Sequence, residues 1–376
     1  MNRKELFDAA KRTVVVEMAE LLKNAENRLP TARQLAVMAE CSYSTMRLVL
    51  AELEAEGFLR QQQGSGTYLT EKAKELTGAF LTRKLLFFRP PTFGTVENAY
   101  NEWMSAGLEE EAARRHWKIT TVQVNSHDEF LANVQPLAHQ FDAVTYAPVG
   151  EPFTLDQIAA LRTLRDKPFA ILGNEISSGI HSVTVDQRRG GAMAASLFLS
   201  CHHRRFALLL GEPRGIRSCE DRSTGFCEML ELAGLRPTIV DAHVTRNADR
   251  YQCAYRAISD ALKNGLDVTA LFAVSDYSAW GALEAFKAAG KRVPEDVSLI
   301  GFDGLPFTEK LHPALTSIRQ PRDEIMSRLF RIFEGKEDGG QQIVLPPGFK
   351  DGDSVKRLAA TQESPYRPLA DLVETR

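Results

Sequence analysis

Residues 29–67, LPTARQLAVMAECSYSTMRLVLAELEAEGFLRQQQGSGT, constrain the fold more than any other stretch of this chain. Pro30 is followed by Thr31 and Gln34 at capping-box spacing, which predicts a helix beginning there with Leu35, Met38 and Ala39 turned inward. A few polar residues later a further helix begins near Ser42, and Met46, Val49, Leu50 and Leu53 form its buried stripe. Gly57 ends it as a C-terminal cap. A strand from Phe58 to Gln62, a turn at Gly64-Ser65-Gly66 and a return strand from Thr67 to Leu69 complete a hairpin. Upstream, Val14, Val15, Met18, Leu21 and Leu22 predict an amphipathic helix over 13–23. Three helices and a glycine-tipped hairpin account for residues 1–72.

The last of those helices should expose Ser42, Tyr43, Ser44 and Arg47 near its N-terminal end. Hydroxyls beside a helix N-terminus suit phosphate oxygens, and an arginine suits guanine or phosphate. Arg33 stands near the start of the preceding helix, where a backbone contact is expected, and the glycines of the 64–66 turn allow close approach to a sugar-phosphate chain. The segment 1–72 holds ten Lys/Arg and ten Asp/Glu. Any affinity for nucleic acid must therefore come from how its charges are placed. The pattern by itself also describes a generic interaction module.

The combination of motifs resembles the winged helix-turn-helix of GntR-family regulators. That family's pattern runs LPSERELA, a Ser/Thr/Arg-rich turn, LEAEG and a GxGT wing; here it reads LPTARQLA, SYSTMR, LEAEG and GSGT. The resemblance implies DNA contacts by Arg33, Ser42, Tyr43, Ser44, Thr45, Arg47 and Gly66. Tyr43 stands where the family usually has Arg, and Ala32 replaces the usual acidic residue.

Residues 73–82 read as a connection. From about residue 83 to 360 the character changes. Apolar runs at Leu85–Phe88, Phe141–Tyr146, Phe169–Leu172, Phe206–Leu210, Ala270–Val274 and Val297–Phe302 look like buried parallel strands. Helical stretches at 97–115, 154–165, 187–200, 219–233, 249–264 and 277–289 alternate with them. Such alternation gives the fold class α/β, an open parallel sheet with helices on both faces. Ligands in these sheets bind beyond the carboxyl ends of the strands. Asp303 ends one strand, Ser275-Asp276 follows another with Asp276 as the expected N-cap, and Arg222 begins the helix after the loop 211–218. An arginine, a carboxylate and a hydroxyl suit a neutral polyol, with Tyr277, Trp280 and Phe302 near enough in sequence to cover an apolar sugar face. Each has a plainer reading as cap, surface ion pair or core.

The segments SVTVDQRRGGAMAASLFLSCHHRRFALLLGE, DRSTGFCEML, VTALFAVSDYSAWGALEAFKAAGKRVPEDVSLIGFDG and HPALTSIRQP, in that order, resemble the LacI/GalR-family effector domain from about residue 167 to 335. The resemblance implies a periplasmic-binding-protein-like fold of two lobes around a cleft, with Arg222, Ser275 and Asp303 in the effector pocket. Ser275 replaces a usual Asn. The first lobe, 83–166, matches the family poorly. Its KLLFFRPPTFGTVENAY offers Pro90, Pro91 and Phe93 as a cleft edge, and Gly173-Asn174-Glu175 ends a later strand. A GntR-like head on a LacI-like body resembles the arabinose-repressor type of bacterial regulator, which implies a homodimer on palindromic operator DNA and a sugar effector.

Composition sets the outer bounds. The 376 residues are 44% hydrophobic and 25% charged with a net charge of −3, values of an ordinary soluble protein. The N-terminus lacks the apolar core and cleavage site of a signal peptide, so a cytoplasmic protein is expected, with no membrane partner. Five scattered cysteines show no CxxC or Cys/His ligand spacing, so neither a metal nor a disulfide framework is expected. No nucleophile elbow, P-loop or GxGxxG accompanies Asp276, Asp303 or the His202-His203 pair, so no catalytic residue and no cofactor is expected. The clusters 187–189 and 202–205 read as solvated helix ends, and the tail 360–376 carries no motif. The competing expectation is a sugar-binding protein or receptor without a DNA role.

Overall fold

The computed structural model describes residues 3–24, 26–62, 64–73, 83–91, 99–148, 153–164, 167–173, 179–245, 248–337 and 342–359. The expected connection at 73–82 and the tail 360–376 thus lie almost wholly outside the described residues, as do Phe93, Asn174 and Glu175. The chain divides into two compact units, 1–84 with 113–118, and 85–112 with 119–376.

In the first unit, α1 (Arg3–Lys23), α2 (Ala32–Met38) and α3 (Tyr43–Ala55) enclose one core with the hairpin β1 (Leu59–Gln62) and β2 (Gly66–Leu69). Helix α1 starts ten residues before the expected 13 because its stripe continues upstream through the buried Ala10. Lys11, on the adjoining face, donates to Glu52 at 2.6 Å and Glu56 at 3.3 Å, tying α1 to α3. The Thr31–Gln34 capping box forms in both directions. Leu35 and Ala36 are the buried residues of α2, whereas Met38 is half exposed, contrary to expectation. A seven-residue helix turns only one narrow stripe inward, and Leu35 already defines it. In α3 the buried set is Met46, Val49, Leu50 and Leu53, as the spacing predicts. Residues 27–29 add a third rung to the hairpin through Leu29 N–H to Thr67 O at 2.9 Å and Leu69 N–H to Asn27 O at 2.8 Å.

The second unit has two lobes. The lobe-1 sheet has the order β13-β7-β6-β5-β3-β4 and the lobe-2 sheet the order β14-β12-β11-β10-β8-β9. Lobe 1 takes β3 (Arg83–Arg89), α4 (Ala99–Arg114), β4 (Trp117–Gln123), α5 (His127–Ala138), β5 (Ala143–Tyr146), α6 (Leu155–Leu161), β6 (Phe169–Leu172) and β7 (His181–Val185). The chain then crosses to lobe 2 for α7 (Gln187–Ser200), β8 (Phe206–Leu210), α8 (Arg217–Leu232), β9 (Thr238–Asp241), α9 (Arg250–Lys263), β10 (Ala270–Ala273), α10 (Asp276–Ala288), β11 (Ser298–Asp303) and β12 (Thr316–Arg319). It returns for α11 (Arg322–Phe333), which packs on β6 and β7, and for β13 (Gln342–Leu345), and ends in lobe 2 with β14 (Gly348–Lys350). Crossings at 186, 320–321 and 346–347 therefore join the lobes. The pairs β13–β7, β7–β6, β6–β5 and β5–β3 in lobe 1 and β12–β11, β11–β10, β10–β8 and β8–β9 in lobe 2 are parallel, and β14 runs antiparallel to β12.

The inner strands of each lobe are buried on both faces, which explains the unbroken apolar runs at 143–146, 169–172 and 270–273. Lobe 2 is held by a cluster around Phe226, Phe272 and Phe302 beneath α7 and α8. Those two helices cross at glycines. A Cβ on Gly191 would lie 1.9 Å from Arg222 O, and one on Gly225 1.8 Å from Arg188 O. No side chain larger than hydrogen fits either position, and the crossing fixes where Arg222 stands.

Candidate functional site

Arg222 lies on the first half of α8, on the side facing the ends of the lobe-2 strands. It is 5% exposed, yet its guanidinium is well supplied with acceptors. Nη1 donates to Val274 O at 2.7 Å and Nε to Gln187 Oε1 at 2.8 Å. Nη2 stands 3.1 Å from Asp303 Oδ1, and the plane lies 3.8 Å over the Phe302 ring. A guanidinium has five N–H donors; these contacts engage three, so two remain for a ligand. Burial opposes its charge, but Asp303 together with Cys219, Tyr100 and Glu212 outweighs that and raises its pKa.

Asp303 closes β11 with φ 119°, a conformation unusual for a residue other than glycine and costing about 1–3 kcal/mol. Three contacts hold it there. Arg222 and Gln320 Nε2, the latter at 2.8 Å, both donate to Oδ1, and Gln320 N–H donates to the Asp303 carbonyl at 3.2 Å. No protein donor reaches Oδ2 among the described residues. Burial pushes the Asp303 carboxyl up to about 6 against the pull of Arg222 and Gln320. Tyr100, at the start of α4 in lobe 1, donates to Gln320 Oε1 at 3.4 Å and so joins lobe 1 to the group. The result is a strained carboxylate and an arginine with spare hydrogen-bonding capacity, locked by two glutamines.

The cap of α10 differs from the expected one. Ser275, not Asp276, is the N-cap of α10: its Oγ accepts from Ser278 N–H at 3.4 Å and lies 2.9 Å from Ser278 Oγ. Its hydroxyl is thereby engaged within the helix start. Asp276 is the first helical residue, wholly buried, and receives Leu305 N–H at 2.8 Å and Ser317 Oγ at 2.6 Å. It braces the turn after β11 from behind, and burial together with the nearby Asp303 charge raises its pKa to about 8. Phe302 is core beneath Arg222, while Tyr277, Trp280 and Phe307 form an aromatic cluster of their own.

Three further members of the group were not legible as site residues: Gln187, Gln320 and Tyr100. Gln187 belongs to a cluster read as solvated, but it is 9% exposed because α7 begins directly at the end of β7 and points its first residue across to Arg222. The signal was the β-branched run SVTV before Asp186, which is the N-cap of α7. The other basic residues nearby are paired, Arg188 with Glu228 and Arg205 with Asp267. His203, expected in a structural or surface role, is fully buried between Thr269 Oγ1 at 3.0 Å and Lys356 O at 3.1 Å, and burial lowers its pKa to about 4. It fastens the segment 353–358 to lobe 2. A cavity of about 230 Å³ opens beside Gln187, lined by Gly173, Thr184 and Asp186 of lobe 1 and by Arg217 and Ser218 of lobe 2.

In the first unit, Ser42 caps α3 by accepting Thr45 N–H at 3.1 Å, and its Oγ lies 2.8 Å from both Ser44 Oγ and Thr45 Oγ1. Tyr43, Ser44 and Arg47 are exposed and Thr45 is half-buried. The exposed Arg33 reaches over Tyr43, 6.0 Å from the ring centroid, so these two meet across the α2–α3 turn. No acidic side chain occupies the first turn of α2 or of α3. Both helix N-termini are open to an anion on that account. Gly66, in the hairpin, has φ 130° and packs against Arg28, whose Nε would lie 3.2 Å from an added Cβ. Arg28 is the cation at this turn that the motif did not indicate. Among the described residues there is no group of three or more His, Cys, Asp or Glu placed to hold a metal ion, and no helix is long and apolar enough to cross a membrane.

Comparison with known proteins agrees with both halves of this description. Residues 19–69 match the model of bacterial regulatory proteins of the gntR family, and residues 195–355 match that of the periplasmic binding protein-like domain. The HTH-type transcriptional regulator CelR of Thermobifida fusca is 31% identical over 189 residues, 50% of this chain and 53% of that protein. The ribose operon repressor of Halalkalibacterium halodurans is 32% identical over 154 residues, 41% of this chain and 45% of its own length. The chain spans about half the length of the curated relatives it matches. Among solved structures, a LacI-family transcriptional regulator from Enterococcus faecium with bound ribose covers 73% of this chain and all of its own, with a TM-score of 0.60 at 22% identity. The Escherichia coli repressor ascG covers the same shares with a TM-score of 0.62 at 22% identity. At that identity the likeness is one of fold. The chain thus carries a segment similar to the gntR-family helix-turn-helix domain and a segment similar to the periplasmic binding protein-like domain, and its body has the fold of the solved LacI-family structures.

Proposed function

We propose that this protein is a transcriptional regulator, a repressor in the simplest case, whose grip on operator DNA is set by a small molecule bound between the lobes of its body. The observation that carries the reading is the presence in one chain of two unfinished sites. One is the N-terminal end of α3 with its exposed Tyr43, Ser44 and Arg47; the other is the Arg222–Asp303 pair with unused donors and an unused acceptor. In the head, Ser42 and Thr45 order the helix end, Ser44 and Arg33 meet phosphate, and Tyr43 and Arg47 reach base edges, with Gly66 letting the hairpin approach the backbone. In the body, Arg222 donates to ligand oxygens, Asp303 Oδ2 accepts from a hydroxyl, and Ser275, at the start of α10, belongs to the same effector pocket.

The three crossings between lobes let the lobes close on a ligand as rigid bodies. Closure changes DNA affinity only as far as the ligand prefers one arrangement; a coupling of about 1–3 kcal/mol changes it roughly 5- to 150-fold. A cavity of about 230 Å³ between the lobes lies beside Gln187, the residue that accepts from Arg222. Relatives described as a ribose operon repressor and as a regulator with bound ribose support a sugar-like molecule. A homodimer would read a palindrome, its two heads a whole number of helical turns apart. No step of this scheme needs a catalytic group, a metal or a cofactor, and the working compartment is the cytoplasm.

The test is selection from a random DNA pool by the purified full chain, with sedimentation of the protein alongside. An enriched inverted repeat and a dimer are expected. A pool that returns unenriched would refute the DNA role, and a monomer on an asymmetric site would refute the symmetric arrangement.

A further inference from the structure

Arg89 ends β3, at the carboxyl edge of the lobe-1 sheet. Its Nε and Nη1 are buried, and neither has a hydrogen-bonding partner among the described residues. A buried charged donor without an acceptor is costly, and native proteins satisfy such groups with a ligand, ion or water. Other arginines of the two lobes have acidic partners: Arg222 has Asp303 at 3.1 Å, Arg217 has Asp221 at 3.6 Å and Arg322 has Glu110 at 2.9 Å.

The position of Arg89 is as informative as its isolation. β3 lies inside the lobe-1 sheet, between β4 and β5. Val124 N–H donates to Arg89 O, and Ala147 N–H to Phe88 O, both at 2.9 Å, so Arg89 is the last residue the sheet holds before the chain leaves. Phe88 points into the cluster around Phe130. Alternation along the strand therefore sends Arg89 to the opposite face. Gly173 and Asp186, at the same carboxyl edge of the sheet, line the cavity shared with lobe 2. Carboxyl ends of parallel strands are where such sheets bind ligands.

We propose that Arg89 receives an anionic group of the ligand in this cleft, so that the effector is a phosphorylated or carboxylated polyol and not a neutral sugar. This rests on the reading of the cleft as an effector site. The charge balance decides for an anion. In lobe 2 the Arg222 charge is cancelled by Asp303, which leaves those groups suited to hydroxyls, whereas Arg89 has no counter-charge among the described residues. A hydroxyl would fill its hydrogen bonds but leave its charge uncompensated in a mostly buried place. The planar guanidinium matches the spread oxygens of phosphate or carboxylate. The ligand would then span the cleft, anion on lobe 1 and hydroxyls on lobe 2.

The test compares wild type with Arg89→Met and Arg89→Lys in the full chain, without DNA. Thermal midpoints are read in chloride, in inorganic phosphate and in acetate at equal ionic strength. Binding of glucose, glucose 6-phosphate, ribose, ribose 5-phosphate and gluconate is measured by calorimetry. In chloride alone, Arg89→Met should melt higher than wild type, because it removes an uncompensated charge. Phosphate or acetate should stabilise wild type, Arg89→Lys in part, and Arg89→Met not at all; which of the two acts tells phosphate from carboxylate. Any anionic sugar that binds should bind wild type roughly tenfold to a hundredfold more tightly than Arg89→Met. Equal response of wild type and Arg89→Met to both anions would overturn the proposal. So would a neutral sugar that binds both equally while depending on Arg222, and that result would leave the effector cleft itself standing.

Discussion

Replacing Gly225 with alanine should disable the effector site from behind. The added Cβ would stand 1.8 Å from Arg188 O, and contacts below 3.0 Å essentially never occur, so α7 and α8 must part by roughly an ångström or more. The opposing atom is a backbone carbonyl, which cannot swing aside as a side chain would. Overpacking costs about 1–3 kcal/mol, and this case belongs at the upper end. Parting the helices also draws Arg222 on α8 away from Gln187 on α7, a hydrogen bond of 2.8 Å to a charged donor. We expect a loss of about 3 kcal/mol. For a body this large that is roughly 5 °C in melting temperature. Calorimetry should show the transition of the body lowered by that amount while the transition of the head is unmoved. Effector binding should be lost, and DNA binding without effector kept. A Gly225→Ala variant that melts within about a degree of wild type and binds effector normally would refute the argument that this crossing positions Arg222.

Three further outcomes follow from the same reasoning. His203 is held neutral with a pKa of about 4, below its ordinary 6.5, so its contribution is complete above 6.5 and lost as pH falls from 6.5 toward 4. Acid unfolding of wild type should show that loss, and a His203→Gln variant that reproduces the wild-type pH profile would count against it. Asp276 has the opposite sign: with its pKa raised from 3.8 to about 8, its protonated form favours the fold, and stability contributed near pH 4 is lost as pH rises toward 8. Asp276→Asn should therefore flatten the pH dependence between about 4 and 8, since the amide can still accept Leu305 N–H and can donate to Ser317; denaturant titrations that show an unchanged slope would exclude a protonated Asp276. Arg47→Ala should weaken DNA binding by about 1–3 kcal/mol with relaxed preference at one base pair if the side chain reads a guanine. It should instead weaken all sequences alike and lower the salt slope by about one if Arg47 meets phosphate; an affinity unchanged at every salt concentration would remove Arg47 from the interface.

Much of this architecture is legible in the sequence because burial leaves a direct trace. Strands covered on both faces must be apolar throughout, which is why Ala143–Tyr146 and Ala270–Ala273 stand out. The α3 stripe is equally clear, since a single face of one helix supplies the core of the head. Edge strands leave weaker traces. Trp117–Gln123 buries one residue of seven, and Thr238–Asp241 one of four, so neither reads as a strand by its apolar content. Helix α11 carries a full buried stripe, Ile325, Met326, Leu329, Phe330, Ile332 and Phe333, yet was not distinguished, because it follows the motif Pro313–Pro321 with only a proline as its cap. In the site, Arg222 and Asp303 are legible from motif order, whereas Gln187, Gln320 and Tyr100 are not. Their roles depend on three elements from both lobes meeting at the ends of strands, a property of the tertiary arrangement and not of local spacing. Asp276 and Ser275 are adjacent, both able to cap, and only the backbone geometry decides between them.

The central claim is that one chain couples a DNA grip to a small molecule. Fluorescence anisotropy of operator DNA, titrated with the full chain over a range of salt and repeated with neutral and anionic sugars, measures that coupling directly. The account predicts tight binding that weakens steeply with salt and shifts roughly 5- to 150-fold with one ligand, the shift vanishing in Arg222→Met while binding without ligand persists. DNA affinity that no ligand alters although calorimetry shows that ligand in the cleft would contradict it.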